Sequence, residues 1–198
     1  VVESDQVNAF ALPGGHIVVF TGLISKSGSP EEVAAVIGHE MAHVTERHGI
    51  RRLLGSAGII VGFQLLLGDV AGATGAMAEL FSLAAINGYS RDQETEADLE
   101  GIRMLADAGI SPHGSIRFFE KMKEDEGPLE SSGLLDWIGT HPDHGERIEA
   151  LKEAIAQLPH QEFNPIDLPW DDIRKRAQRG HSPDADAQEE SSHGKSED

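Results

Sequence analysis

The stretch VIGHEMAHVTERHG, residues 36–49, places three histidines and two glutamates within fourteen positions. On a helix, residues four apart share one face, with Cβ atoms about 5–6 Å apart, so His39 and His43 can direct imidazole nitrogens at one ion. Glu40 projects beside them, where a carboxylate can accept a proton from a metal-bound water. The pattern is the short zinc signature, but zinc needs a third protein ligand. A helix with two hydrogen-bonded histidines is the competing interpretation.

Two start signals place this stretch and a later acidic stretch on helices. Ser29 offers an N-cap, Pro30 suits the first helical position, and Glu32 completes a capping box. A second capping box begins at Ser90 and opens a helix that is predicted to end at Gly109. The histidines are therefore expected on one helix and the acidic residues on another.

Two more helices are predicted, one starting at residues 111–112 and one near residues 140–142, with the second ending at Pro159. Apolar residues recur in both at helical spacing. The predicted buried positions are Phe118, Phe119, Met122, Ile148, Leu151, Ile155 and Leu158.

A β-hairpin is predicted near the start of the chain. Residues 7–12 and 16–21 are short apolar runs, and Pro13-Gly14-Gly15 separates them with turn-forming residues. The expected fold class is therefore α+β and predominantly helical, with a small hairpin beside the histidine helix.

The length of the chain favours one domain with a tail. Its 198 residues, 39% of them hydrophobic, can close one good core. We expect the domain to span residues 1–160, followed at 161–180 by an extension that either packs on the domain or trails it. Residues 181–198 are Ser-rich and acidic without apolar periodicity, so a disordered tail is predicted.

The charge balance and the missing cysteines exclude several classes of function. Sixteen basic against 34 acidic residues give a formal net charge of −18, which argues against a nucleic-acid surface. The absence of cysteine excludes disulfides and thiolate zinc sites. The first residues lack the basic and apolar regions of a signal peptide, so a mature or trimmed form is expected.

Residues 53–90 form a separate apolar segment with only two charged residues. The longest uncharged run, residues 53–68, has 16 residues, whereas a bilayer span needs about 20. A helical hairpin that is buried or covered by a partner is therefore favoured over a membrane span. Peripheral contact with a membrane surface stays open as an alternative.

The third ligand has to come from outside the opening stretch. A metzincin would continue with glycine and histidine where this chain has Glu46 and Gly49, and the thermolysin pattern would place a glutamate near residues 62–64, which are Gly, Phe and Gln. Glu94 and Asp98 lie four apart on the next predicted helix, so one face can offer one carboxylate to zinc and the other to a histidine. The alternative for this segment is a solvated acidic face.

The motifs in their order resemble the gluzincin metallopeptidase family that includes the CAAX prenyl endopeptidase and the bacterial proteins HtpX, BepA and LoiP. The resemblance runs from about residue 7 to residue 158. Its motifs are Asn-Ala-Phe-Ala-x-Pro-Gly-Gly at 8–15, Gly-Leu at 22–23, His-Glu-x-x-His at 39–43, Glu-x-x-Ala-Asp at 94–98 and His-Pro-x-x-x-x-Arg at 141–147.

This resemblance implies a zincin-like metallopeptidase domain with one zinc ion. The ion would be held by His39, His43 and Glu94, with Glu40 as the general base and Asp98 behind a ligand histidine. Glu96 lies about 200° around the helix from Glu94 and is expected to point elsewhere. His48 falls outside the spacing of the known ligand sets.

The same resemblance gives His141 and Arg147 roles that their positions alone would not suggest. His141 would be either an oxyanion stabiliser or a fourth, inhibitory metal ligand. Arg147 would lie near the site and pair with an acidic group.

The implied activity is zinc-dependent cleavage of misfolded or unfolded proteins. The short apolar run at 53–68 and the roughly forty residues after Leu158 make the chain similar to the soluble or peripheral members of the bacterial cell envelope, in the periplasm or at a membrane. A catalytically silent chaperone-like or membrane-surface binding module is the alternative, and the oligomeric state stays undetermined.

Overall fold

The structure is a computed structural model that describes residues 1–12, 14–52, 88–124, 141 and 144–179. Most of these residues are helical, and the named strands form one two-stranded antiparallel sheet, which confirms the predicted fold class. The elements are β1 (Ala9–Leu12), β2 (His16–Val19), α1 (Thr21–Lys26), α2 (Pro30–Thr45), α3 (Arg91–Asp107), α4 (His113–Glu124), α5 (His144–Ala156) and α6 (Trp170–Arg179).

The predicted hairpin is confirmed, with one difference at its end. Leu12 pairs with His16, and Gly14 and Gly15 have φ of 97° and 86°, a left-handed conformation that glycine adopts without steric cost. The second run is strand only as far as Val19, because the chain enters α1 at Thr21. Strand β1 packs against α2, so the hairpin lies beside the histidine helix.

Helix α2 begins as predicted at Pro30, but the predicted capping box is wrong. The Ser29 side chain makes no capping hydrogen bond. Glu32 instead accepts a hydrogen bond from the backbone N–H of Gly28 at 2.7 Å. Arg117 explains the difference, because its guanidinium donates to Ser29 Oγ at 3.4 Å and lies 3.8 Å from Glu32 Oε1.

Helix α3 has both predicted ends. Ser90 Oγ accepts from the backbone N–H of Gln93 at 3.3 Å, and the Gln93 side chain accepts from Ser90 N–H at 3.1 Å. Gly109 follows the helix with φ of 71°, and Ile110 N–H donates to the Leu105 carbonyl at 2.9 Å. This closing turn is the glycine C-cap that the sequence predicts.

Helices α2 and α3 approach closely through two glycines. A Cβ added at Gly101 would lie 3.1 Å from backbone atoms of Gly38 and His39. Because the nearest atoms belong to the backbone of α2, any larger residue at Gly101 would require a shift of a few tenths of an ångström between the helices. The close contact at these two small residues therefore brings the His39 face of α2 against the acidic face of α3.

Two apolar clusters support this helix pair. The first joins the hairpin to α2 and α4, and the second joins α3, α4 and α5. Five of the seven predicted core positions are buried, and Ile155 and Leu158 are partly buried. The buried five are Phe118, Phe119, Met122, Ile148 and Leu151.

The end of the described chain returns to the start of α2. Ile166 N–H donates to Glu31 Oε1 at 2.8 Å, and α6 packs against α1. Most of the apolar segment 53–90 and the tail 181–198 lie outside the described residues, so the predictions made for them stay predictions. Within the described part of the chain, no helix is both long and apolar enough to cross a membrane.

Candidate metal centre

Three side chains of α2 and α3 bring ligand-type atoms to one point. His39 and His43 lie one turn apart on α2, and their Nε2 atoms are 3.0 Å apart. The Glu94 carboxylate approaches from the first turn of α3, with Oε2 3.4 Å from His39 Nε2 and Oε1 3.5 Å from His43 Nε2. All three residues are buried. Two imidazoles and a carboxylate are a common zinc ligand set.

The spacing of these atoms fits a small metal ion. Zinc bonds of about 2.0–2.1 Å in tetrahedral geometry separate neighbouring ligand atoms by about 3.3–3.4 Å. The separations of 3.0–3.5 Å within the cluster lie around that value. Side chains that merely share a hydrogen-bonded core need not point three ligand atoms at a common centre.

His141 joins this cluster. Its Nδ1 atom lies 3.0 Å from both carboxylate oxygens of Glu94 and 3.3 Å from His39 Nε2. The four ligand atoms of His39, His43, Glu94 and His141 all lie within 4.8 Å of one another. The structure therefore places His141 where a fourth ligand would lie.

Glu40 lies beside the cluster and faces strand β1. Its side chain is 1% exposed. Oε2 accepts a hydrogen bond from the backbone N–H of Ala11 at 2.9 Å, and Oε1 lies 3.3 Å from His141 Nε2. The strand thus holds one oxygen of the carboxylate and leaves the other facing His141.

A buried ion-pair network supports His39 from behind. Asp98 Oδ1 lies 2.9 Å from His39 Nδ1. Arg147 donates to both Asp98 oxygens, from Nε at 2.7 Å and from Nη2 at 2.6 Å, and its Nη1 lies 2.9 Å from Glu94 Oε2. The guanidinium also lies over the Phe119 ring, 4.7 Å from its centre. Arg147 therefore couples the two carboxylates of α3.

A different group of residues supports His43. Its Nδ1 atom lies 2.9 Å from Nδ1 of His48, whose Nε2 lies 3.0 Å from Glu96 Oε2. The Tyr89 ring stacks on the His43 ring, with centres 3.8 Å apart and planes 14° apart. Glu96 points away from the ligand cluster, as the helical spacing predicts.

This contact of His48 with His43 was not predicted from the sequence. Helix α2 ends at Thr45, and Arg47 has φ of 56°, a left-handed conformation that is uncommon outside glycine. That bend turns the chain so that His48 lies against His43. No spacing rule for regular helices could have found the contact, because it depends on leaving the helix.

The charges in the site shift the pKa values of its residues in a consistent way. Burial opposes protonation of His39, but hydrogen bonds to Asp98 and Glu94 outweigh burial and raise its pKa to about 9. Burial favours protonation of Glu94, but hydrogen bonds to His141 and His39 hold its pKa well below the usual range. Burial lowers the pKa of His43, and the neighbouring His39 charge lowers it further.

The same balance holds for the other charged groups. Burial works against ionisation of Asp98, but His39 and Arg147 lower its pKa. Burial likewise works against protonation of His141, but Glu40 and Glu94 raise its pKa. Opposite charges therefore balance within a buried cluster, and a bound cation would take the place of the protons on its imidazoles.

Comparison with known proteins identifies the family. The profile of peptidase family M48 matches residues 1–155. Mitochondrial metalloendopeptidase OMA1 of Arabidopsis thaliana is 39% identical over 158 residues, which cover 78% of this chain and 30% of that protein. The putative beta-barrel assembly-enhancing protease of Vibrio cholerae is 32% identical over 175 residues, which cover 83% of this chain and 36% of that protein.

The OMA1 metalloendopeptidase of Saccharomyces cerevisiae is 32% identical over 157 residues, which cover 76% of this chain and 44% of that protein. The chain thus spans less than half the length of these curated relatives. The family match confirms the resemblance that the ordered motifs predicted: the chain belongs to peptidase family M48.

Proposed function

We propose that this chain is a zinc-dependent endopeptidase in which His39, His43 and Glu94 hold the ion and Glu40 is the general base. The convergence of the three ligand atoms at 3.0–3.5 Å, with one further buried carboxylate beside them, supports this proposal most directly. Membership of a peptidase family supports the reaction type.

The roles of the protein groups follow from their positions. Bound zinc supplies a water that is acidic near neutral pH and polarises the peptide carbonyl. Glu40 accepts the water proton on Oε1, because Oε2 is already bonded to Ala11 N–H, and returns it to the leaving amine. His141 Nε2 lies next to that oxygen and can stabilise negative charge on the attacked carbonyl.

Arg147 and Asp98 act behind these groups in the same proposal. Arg147 holds the Glu94 and Asp98 carboxylates, and Asp98 orients His39 through Nδ1. A ligand histidine commonly has such a partner on its other nitrogen.

The edge of strand β1 suggests how a substrate would bind. Ala11 N–H points at Glu40 and therefore away from β2. The outer side of β2 is occupied at its end, since Val2 N–H donates to the Val19 carbonyl at 2.9 Å. A substrate segment that adds to β1 would be recognised through its backbone, in an extended form. Unfolded or misfolded proteins present such segments, so they are the proposed substrates.

The proposed location is a bacterial cell envelope, in the periplasm or at a membrane surface. The similarity to a beta-barrel assembly-enhancing protease of Vibrio cholerae supports this location. Peripheral membrane contact through residues 53–90 is part of the proposal, and no nucleic-acid partner is expected at a net charge of −18.

His141 supports a second candidate function. Its Nδ1 atom lies as close to Glu94 as the other cluster atoms do, so it can serve as a fourth ligand that closes the site. A permanently closed site would make the chain a zinc-containing binding or chaperone-like module. A site that opens when His141 leaves would make the same contact an inhibitory resting state.

Cleavage of casein and a bound-zinc assay on the same samples test both candidates. Glu40→Gln should keep its zinc and lose at least about 100-fold in kcat, because general base catalysis contributes 10²–10⁴-fold. His141→Ala should keep its zinc, and its kcat will rise if His141 blocks the site or fall if His141 stabilises the oxyanion. The matched controls are Glu120→Gln and His113→Ala, two exposed residues outside the cluster.

The two candidates give different outcomes. Stoichiometric zinc with no cleavage by either the wild type or His141→Ala would contradict the peptidase and favour the binding module. Undiminished cleavage by Glu40→Gln would contradict the assigned base.

A further inference from the structure

We infer that His48 and Glu96 are positioning residues for His43: Glu96 fixes the tautomer of His48, and His48 fixes the tautomer in which His43 presents Nε2 to the metal. This inference rests on the metal centre of the proposed function. The two added residues, His48 and Glu96, would act on the metal only through the ligand His43.

The proton positions follow from the distances. A neutral imidazole has one N–H donor and one acceptor nitrogen. His43 Nε2 faces the cluster, 3.0 Å from His39 Nε2, so a metal needs its lone pair there and the His43 proton belongs on Nδ1. That proton points at His48 Nδ1, 2.9 Å away. His48 Nδ1 must therefore be an acceptor.

Glu96 completes the sequence of donors and acceptors. With Nδ1 of His48 unprotonated, the His48 proton lies on Nε2, which is 3.0 Å from Glu96 Oε2. An ionised carboxylate can only accept, so it selects this tautomer of His48. The opposite tautomer would set two N–H groups against each other at the His43–His48 contact. One proton arrangement satisfies all three residues.

The hydrogen bonds that run from Glu96 through His48 to His43 form a relay, and the burial of His48 makes this relay depend on Glu96. His48 is completely buried, so water cannot take the place of the Glu96 carboxylate at His48 Nε2. Glu96 is 48% exposed and can be changed without opening a core cavity. A glutamine at position 96 keeps the shape but also carries N–H donors, so it would no longer force the proton onto His48 Nε2.

Nuclear magnetic resonance of the zinc-loaded protein tests the tautomers directly. Long-range ¹H–¹⁵N correlations should show His48 protonated on Nε2 and His43 protonated on Nδ1. A zinc-loaded protein with His48 protonated on Nδ1 would overturn the inference.

Metal affinity tests what the relay does. Glu96→Gln should weaken zinc binding about tenfold in a chelator competition, the lower end of the 10–100-fold range for groups behind metal ligands. Its Co²⁺ absorption spectrum should also change. Glu100→Gln is the matched control, because Glu100 lies on the same helix outside the site and forms an ion pair with Arg103.

A second variant separates positioning from folding. His48→Asn keeps an acceptor oxygen near the Nδ1 position but has no tautomer for Glu96 to select. In that background Glu96→Gln should have no effect on zinc affinity. An equal effect of Glu96→Gln in both backgrounds, or an effect no larger than that of Glu100→Gln, would overturn the inference. If the predicted tautomers and zinc affinities are found but the protein does not cleave casein, the result would contradict only the proposed peptidase activity.

Discussion

The two histidines of α2 are chemically identical and lie one turn apart, yet their surroundings differ in kind. His39 Nδ1 faces a buried carboxylate, Asp98, which Arg147 holds with two hydrogen bonds. His43 Nδ1 faces another imidazole, His48, and through it a partly exposed glutamate. The first support is ionic and the second depends on proton placement.

The difference explains the opposite pKa shifts of the two rings. Burial penalises the charged form of both, but only His39 has hydrogen bonds to carboxylates, Asp98 and Glu94, that outweigh the penalty and raise its pKa to about 9. His43 has its pKa lowered, because burial and the His39 charge act in the same direction.

Removing Arg147 should have the largest effect on stability, because it disrupts the ion pairs that support His39. Arg147→Met removes the guanidinium from the buried carboxylates Glu94 and Asp98, which should lower the free energy of unfolding by about 3–5 kcal/mol. Urea unfolding of the metal-free protein measures the change. The control is Arg103→Met, an exposed ion pair on α3, which should stay within about 0.5 kcal/mol. Equal stability of both variants would show that the network is not needed.

Raising the pH should weaken the ionic support of His39, together with the contacts of His141 to Glu40 and Glu94, because the pKa values of both histidines are raised. The pKa of His39 is raised from 6.5 to about 9, so its contribution is full below pH 6.5 and is lost as the pH rises through about 9. The loss should be on the order of 3 kcal/mol in the metal-free protein. Urea unfolding between pH 6 and pH 10 measures it.

Zinc loading is the control for this pH series. A metal-bound imidazole is neutral at all these pH values, so the loaded protein should not show the decline. A free energy of unfolding that does not change with pH in the metal-free protein would contradict the charged support of His39.

Neutralising Asp98 or Glu96 should give the smallest effects but the most direct comparison of the two histidine supports. Asp98→Asn should reduce zinc affinity by up to about 100-fold, toward the upper end for groups behind metal ligands, whereas Glu96→Gln should reduce it about tenfold. Chelator competition measures both. Asp92→Asn, at an exposed first-turn position of α3, is the control. A larger loss from Glu96→Gln than from Asp98→Asn would reverse the comparison.

Local patterns predicted most of the described fold. The capping box at Ser90 and the glycine turn at Gly109 depend only on neighbours in the chain, and both are present. The box at Ser29 is absent because Arg117, from a helix far along the chain, competes for the same side chains. Helices α1 and α6 had no strong pattern of their own and were not predicted. Their contact with each other is tertiary.

The candidate site divides in the same way. The common face of His39 and His43 follows from helical periodicity, which the sequence by itself determines. So does the opposite direction of Glu96 from Glu94 on α3.

Only the tertiary structure decided how these faces meet. Gly38 and Gly101 let α2 and α3 approach until Glu94 reaches the histidines, and α5 brings Arg147 to the same carboxylate. The left-handed turn at Arg47 brings His48 back to His43. Spacing rules describe residues on one regular element, whereas these contacts depend on how closely separate elements pack and on where a helix ends.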